Sequence, residues 1–577
     1  MSLEPPERVR KLQTALHAKA KAAPRYRFYL LYDKLYREDI LAYAYQVCRA
    51  NRGGPGVDGQ RFADIEAYGV EGWLGALAQE LRSKTYQPQA VRRVWIPKPG
   101  GQQRPLGIPT IRDRVVQTAA VLVLAPVFEA GLPDEQYAYR PGRSALDAVR
   151  RVHRLLNTGH TEVVDADLSG YFDSIPHTEL IESVARRISD RHVLHLLKMR
   201  LEMPVEEEDE HGRKVRTRRA RKEHRGTPQG APISPLLSNL YMRRFVLGWK
   251  VLGHEQRQRA HIVNYADGLV ICCRGTAEQA AAVMRALMTR LKLAVNESKT
   301  RVCRVPAESF DFLGYTLGRC WSPKTGRAYI GTRPSPKRIR RLCAAIRETT
   351  APRWLLKTAE DRVRVLNPML VGWANYFCLG PVGPAYRAID RYARFRLRRW
   401  LRRKHQQPSR AITRWPDTYL NETLGLVRLV PRARSLPWAQ ARGFVREPDA
   451  GNPHVRFDER AVETERTTPP RHRSTPQSCL ADRHSSGRRP RRPLWPIQCG
   501  LCHGLRGRRP LRALVQRTVS APRISSTITR RRRLGRAAFL REAPFEAQEA
   551  PGAGFSSLTA LSPTERGDIS VPGLPVR

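Results

Sequence analysis

Residues 162–305 constrain the fold of this chain more than any other stretch. Glu162-Val163-Val164-Asp165-Ala166-Asp167-Leu168 reads as a buried strand, and Leu180, Val184 and Ile188 then recur every four residues as on one face of a helix. Ser234-Pro235 is an N-cap and first-turn pair opening a second helix through Leu236, Leu237, Leu240 and Tyr241. Residues 262–273 (IVNYADGLVICC) read as two short apolar strands around a turn. A further helix follows, capped by Thr276 with Gln279 in capping-box spacing and packing Val283, Leu287 and Leu291, and a strand near 300–305 closes the set. Strand, helix, hairpin, helix, strand is the split βαβ order of a ferredoxin-like sheet, so an α+β fold is expected. That order hosts many unrelated activities and fixes no function.

Carboxylates make this sheet informative. Asp167 ends one apolar strand, and Asp267 lies at the hairpin tip that the topology sets beside it. Two carboxylates converging on adjacent strands can hold Mg²⁺, which keeps several waters and takes its other ligands from substrate phosphates. Such a site suits phosphoryl transfer. The same residues allow a plainer account: Asp-Gly is a strong hairpin signal, so Asp267-Gly268 can be only a turn, and Asp165, Asp167 and Asp173 can be caps.

Charge narrows the partners. The 577 residues carry 103 Lys+Arg against 53 Asp+Glu, a formal net charge of +50. With 41% hydrophobic residues the chain can still bury a core, so it is not a disordered polycation throughout. Nucleic acid is the leading partner for such a surface. The longest apolar stretch, residues 118–128, is about half of what a membrane span needs, and the N-terminus mixes charge with proline where a signal peptide needs an apolar run. A cytoplasmic protein with no membrane partner is expected. The 10 cysteines form no regular framework, which suits reduced thiols. Composition breaks near Arg466: from there to the end are 22 Arg, no Lys and 6 Asp+Glu among Ser, Pro and Gly without apolar period. We read residues 446–577 as a basic, mostly disordered tail, with the loss of lysine suggesting sequence outside a selected fold. Cys499-Gly500-Leu501-Cys502-His503 within it matches a haem-attachment spacing by chance, and a zinc site would need a second ligand pair.

Several stretches, in order, resemble the group II intron reverse transcriptases: residues 96–117 (IPKPGGQQRPLGIPTIRDRVVQ), 137–149 (YAYRPGRSALDAV), 165–177 (DADLSGYFDSIPH), 226–242 (GTPQGAPISPLLSNLYM), 296–300 (NESKT) and 312–317 (FLGYTL). Tyr265-Ala266-Asp267-Gly268 resembles that family's YADD box. The resemblance implies a right-hand polymerase: an N-terminal helical extension over 1–60, fingers and a ferredoxin-like palm over 61–330, and an α-helical thumb or maturase domain over 331–445. It also implies an RNA-directed DNA polymerase and intron maturase, using Mg²⁺ and deoxynucleoside triphosphates on an RNA template with a DNA primer, and binding its parent intron RNA. By this likeness Asp167 and Asp267 are the metal ligands and Phe172 packs under the incoming sugar. Lys98 and Arg104 neutralise the triphosphate, Gln229 contacts nucleotide or template, and Lys299 matches the lysine that protonates leaving pyrophosphate. Gly226 and Gly230 permit close backbone approach.

One departure stands out. The second aspartate of the box is Gly268 here, so weakened DNA synthesis is expected, with an inactive RNA-binding maturase, or the remnant of a decaying mobile element, as the alternative. Residues 385–405 (AYRAIDRYARFRLRRWLRRKH) set Ile389, Ala393, Leu397 and Trp400 on one helical stripe and Arg387, Arg391, Arg394, Arg398 and Arg402 on another. That second stripe is expected to lie against an RNA backbone. Trp373, Tyr376 and Phe377, just upstream, are expected to be core.

Overall fold

Stripes of apolar residues at helical spacing and short runs that are apolar on one or both faces sort this chain into helices packed on small sheets. The computed structural model describes residues 3–97, 103–208, 211, 213–322, 325–407 and 411–434. Lys98, and the tail from 446 with its Cys499 and Cys502, lie outside the described residues. The elements used below are, in chain order, α1 (Glu7–Ala22), α2 (Glu38–Ala50), β1 (Val91–Pro97), β2 (Gln103–Ile108), α3 (Ile111–Glu129), α4 (Ala145–Asn157) and β3 (Glu162–Asp167). Next come α5 (His177–Ala185), α6 (Arg191–Leu201), β4 (Val205–Glu208), β5 (Lys214–Thr217), α7 (Ser234–Val251), β6 (Ala260–Tyr265), β7 (Gly268–Cys273), α8 (Ala277–Arg290) and β8 (Arg301–Arg304). Then follow β9 (Phe310–Phe312), β10 (Tyr315–Trp321), β11 (Ala328–Pro334), α9 (Pro336–Thr349), α10 (Ala359–Tyr376) and α11 (Gly383–Lys404).

The central sheet has the order β6-β7-β3-β8 with every neighbour antiparallel. The first strand of the set thus lies between the third and the fourth, as a split βαβ requires. Both faces are covered. Val164, Ala166, Ile262, Leu269 and Ile271 face the cluster built by α7 and α8, while Val163, Val263, Val270, Cys272 and Cys303 face α4 and β9–β10. Burial on both sides is why β7 reads GLVICC rather than alternating polar and apolar residues. The apolar run at 118–128 lies in α3, buried almost all round under α1 and α2. Among the described residues no helix is long and apolar enough to cross a membrane.

Several local expectations need correction. Ser234 is the first residue of α7 rather than its cap, and its hydroxyl donates to the Pro228 carbonyl at 2.9 Å. Thr276 does precede α8, but its hydroxyl bonds the Gln258 carbonyl instead of capping the helix. The inward face of α8 is Ala277, Ala280, Ala281, Met284 and Met288, with Val283, Leu287 and Leu291 only partly buried beside it. Small residues let α8 approach the sheet more closely than the larger stripe would. Ile188 is buried as expected, yet it lies beyond the end of α5 and bridges Phe28 instead.

A second sheet, β2-β1-β4-β5, stands before α3. It is anchored by Asp113 near the start of α3, which accepts from the Gln89 amide and the Tyr86 hydroxyl and meets Arg200 of α6 at 3.0 Å. Both partners are almost fully enclosed. Burial pushes the Asp113 carboxyl up to about 7 and the Arg200 guanidinium down to about 9, while the Gln89 amide pulls the carboxyl back. Leaving one charge of such a pair alone is costly. Arg200→Met is expected to destabilise the protein by about 3–5 kcal/mol, measurable as a lowered midpoint in urea unfolding.

Candidate active site

The site begins with the register of β3 and β7. Asp167 pairs with Gly268 and Asp165 with Val270. The Leu168 amide donates to the Asp267 carbonyl at 3.3 Å, tying the end of β3 to the hairpin tip. Asp167 and Asp267 therefore share one end of the sheet. Asp267 is open to solvent, but protein crowding around the turn raises its carboxyl above the ordinary value, and the negative Asp167 raises it further. Its own backbone N–H, Arg104 and Lys299 act in the opposite direction. Asp165, two residues before Asp167 on the same strand face, is pushed up to about 6, chiefly by burial, against the pull of Arg301 at 3.6 Å.

Two residues that pattern reading passed over shape this end. Asn264 is buried, and its amide donates to the carbonyls of Ala266 at 3.0 Å and Gly268 at 3.1 Å, bracketing Asp267 from within. That clamp supports Ala266 at φ +57, a left-handed conformation unusual for a residue with a side chain. Tyr139 has φ +58 and an exposed ring, and its hydroxyl is raised first by burial and next by Asp267. A strained, exposed tyrosine beside a carboxylate is a common active-site feature. Asn264 carries no spacing signal, because it acts through the backbone carbonyls of the turn.

Basic groups line the opposite side. The Lys299 ammonium lies 2.6 Å from Asp167 Oδ2. Arg104 on β2 donates through Nε to Gln229 Oε1 at 3.1 Å, and Gln229 Nε2 donates to Asp173 Oδ2 at 2.9 Å, so one amide links the second sheet to the turn after β3. The Gln229 loop can come this close because of its glycines. A Cβ on Gly230, at φ +107, would stand 2.7 Å from the Gly107 carbonyl oxygen, and one on Gly226, at φ +94, 3.1 Å from that of Asp173. Phe172 is half-buried beside Tyr171, with its carbonyl accepting from the Thr227 amide at 2.7 Å. Asp167, Asp267, Lys299, Arg104, Gln229 and Phe172 are thus gathered at one end of the sheet.

Among the described residues no three His, Cys, Asp or Glu side chains gather as a metal cage. Two carboxylates at one end of the sheet, one of them already holding an ammonium, instead suit a hydrated cation shared with substrate phosphates, the manner in which Mg²⁺ is usually held. Gly268 leaves room for more. It is directly opposite Asp167, so a side chain there would project from the same face, and a Cβ would meet only the Tyr265 carbonyl oxygen at 3.4 Å.

The arginine stripe of α11 divides in two. Arg387, Arg391 and Arg402 are exposed. Arg394 and Arg398 instead form ion pairs with Asp417, and Arg398 Nε also donates to the Trp415 carbonyl at 2.7 Å. They turn inward because the segment after α11 folds back with an acid that lies thirteen or more positions outside the helix pattern. Exposed Arg399 and Arg403 complete the outward surface. Phe377 is buried and Trp373 and Tyr376 are half-buried, stacked with Tyr315 and Tyr386.

Residues 96–317 match the family described as reverse transcriptase (RNA-dependent DNA polymerase), and residues 339–416 match the group II intron maturase-specific domain. The chain is 33% identical over 402 residues to Protein YkfC of Escherichia coli K12, covering 63% of this chain and 100% of that protein. It is 34% identical over 229 residues to the group II intron-encoded protein LtrA of Lactococcus lactis, covering 39% of this chain and 36% of LtrA. It is also 33% identical over 94 residues to nuclear intron maturase 2 of Arabidopsis thaliana, 16% of this chain and 13% of that protein. The last two alignments span well under two thirds of those relatives.

The Asn264 clamp can be tested directly. Asn264→Ala leaves two turn carbonyls without their donor inside the protein, and a loss of about 1–3 kcal/mol is expected. Urea unfolding measures it, and hydrogen exchange should quicken first at residues 266–268.

Proposed function

Because the chain belongs to the group II intron-encoded reverse transcriptase/maturase family, we propose that it binds intron RNA for splicing and carries an RNA-directed DNA polymerase centre weakened at Gly268. On this reading residues 61–330 form fingers and palm, and residues 331–445 a thumb that is also the maturase surface. The observation that carries it is the register of Asp167 against the 267–268 tip, with Lys299 and Arg104 facing that tip.

Each side chain then has a task. Asp167 and Asp267 would hold Mg²⁺, which when bound would supply positive charge for nucleotidyl transfer, in which the 3′-hydroxyl of a DNA primer paired with an RNA template bonds the α-phosphorus of a deoxynucleoside triphosphate and pyrophosphate leaves. Arg104, oriented by Gln229, neutralises the triphosphate with a fork of donors. Phe172 packs under the incoming sugar and disfavours a 2′-hydroxyl. Lys299 stands within hydrogen-bond reach of Asp167, so an ammonium is already present to deliver a proton to departing pyrophosphate. Asn264 holds the tip in place. With glycine at 268 the centre has one negative charge fewer than the YADD box, so cation binding is weaker and its placement looser, and chemistry tolerates little misplacement.

A maturase whose polymerase is impaired is the second reading, and Gly268 is what favours it. Splicing and primer extension measured side by side on the cognate RNA distinguish the two. We expect splicing with weak extension in the wild type, and at least tenfold more extension from Gly268→Asp, an order-of-magnitude figure for one restored charge near the metal. Equal and vigorous extension by both would refute the weakening.

The RNA surface makes a separate prediction. Arg391→Gln should weaken RNA binding at every sequence and lower the slope of log affinity against log salt by roughly 1. Arg398→Gln should lower the melting temperature through loss of its Asp417 contact and leave that salt slope unchanged.

A further inference from the structure

Away from the carboxylates, a cavity of about 710 Å³ opens between the end of α1, the end of α3, α5 and α7. Five arginines line it: Arg25, Arg186, Arg187, Arg243 and Arg244, with no Asp or Glu among the lining residues. None of the residues assigned above to catalysis or RNA contact belongs to it. Its floor is apolar, from Val127, Phe128, Leu240 and Leu247.

Three of these guanidiniums are held in place by backbone carbonyls. Arg187 donates to the carbonyls of Pro24 and of Ala20, the latter at 2.8 Å; Arg243 Nε donates to that of Gly131 at 2.7 Å and Arg244 to that of Glu179 at 3.1 Å. A carbonyl fixes the fork without cancelling its charge. Among the described residues Arg187 Nε is buried with no hydrogen-bond partner. Burial holds Arg243 below its ordinary value, and the positive charges of Arg186 and Arg187 add to that effect. Arg25 and Arg186 are exposed, and among the described residues their side chains make no hydrogen bond or ion pair. Five like charges thus surround one hollow, three of them at fixed positions, an arrangement that an anion would relieve with only two long side chains left to order.

We propose that this cavity is a second RNA-backbone site, taking successive phosphates of a ribonucleotide strand, apart from the outward face of α11. A single free phosphate would answer only part of this charge, whereas a strand brings one phosphate per nucleotide. The positive surface also continues past the rim through Arg27, anchored by Nε to the Ala185 carbonyl at 3.0 Å, and exposed Lys21. The apolar floor and the exposed Val251 beside it receive sugar and base faces that a bare anion lacks. The assignment rests on the reading that this chain holds RNA.

The test uses the full chain with two probes, the intron RNA and a short unstructured oligouridylate, across a salt series. Arg25→Gln/Arg186→Gln changes the two arginines whose side chains make no hydrogen bond or ion pair among the described residues, so the fold should survive, with an unchanged melting temperature as the check. Affinity for both probes is expected to fall roughly tenfold at moderate salt, and the log–log salt slope to fall by roughly 2. Wild-type affinity and slope in the double variant, for both probes, would overturn the site. If inorganic tripolyphosphate raises the melting temperature of the wild type but not of the variant while RNA binding is equal, the cavity holds a free anion and the RNA assignment is likewise overturned. Failure of the broader reading looks different: the wild type would prefer intron RNA no more than an unrelated RNA of the same length, while the variant still lost affinity for oligouridylate.

Discussion

The pairing of β3 with β7 in one register is the constraint from which the rest of the site follows. Because side chains alternate along a strand, sliding this pair by one residue would turn Val163 and Val164 to the wrong layers and move Asp167 away from the 266–268 turn. Both faces of β7 are buried, so two apolar clusters resist such a slip at once. Asn264 then acts on the turn itself. It holds the carbonyls on either side of Asp267, leaving that carboxylate at the open end of the sheet while its backbone is fixed.

Around this frame, arginine does two different jobs. Several guanidiniums end on backbone carbonyls: Arg187 on Ala20, Arg243 on Gly131, Arg396 on Arg347. Such contacts close loops and helix ends and leave the positive charge uncancelled. Others meet acids, as Arg394 and Arg398 meet Asp417, and drop out of the outward field. The surplus of basic over acidic residues is therefore partly rigid structure, which places the remaining charge at defined points instead of spreading it over mobile side chains. A polyanion with regularly spaced charges fits that arrangement.

Much of the α+β pattern was legible beforehand, since apolar runs bounded by turns marked β3, β6, β7 and β8, and the four-residue recurrence of Ile389, Ala393, Leu397 and Trp400 marked α11. The errors share a cause. Ser234, Thr276 and the α8 stripe were read from local rules, but each side chain found a partner distant in sequence: Ser234 at Pro228, Thr276 at Gln258, α8 at a sheet that prefers its small residues. Arg394 and Arg398 differ from Arg391 only in facing Asp417, a fact absent from helical periodicity.

The sequence by itself determined the elements of the central sheet and their order, the family and the residue types at the site, because periodicity and ordered motifs are local and survive in one dimension. It also exposed the missing acid at 268. Only the tertiary structure decided which groups meet: Lys299 on Asp167, Arg104 through Gln229 to Asp173, Asn264 on the turn, and five arginines around one cavity. Those meetings depend on strand register and on how closely helices approach, and both are set by packing summed over the whole core, which no short stretch of sequence contains.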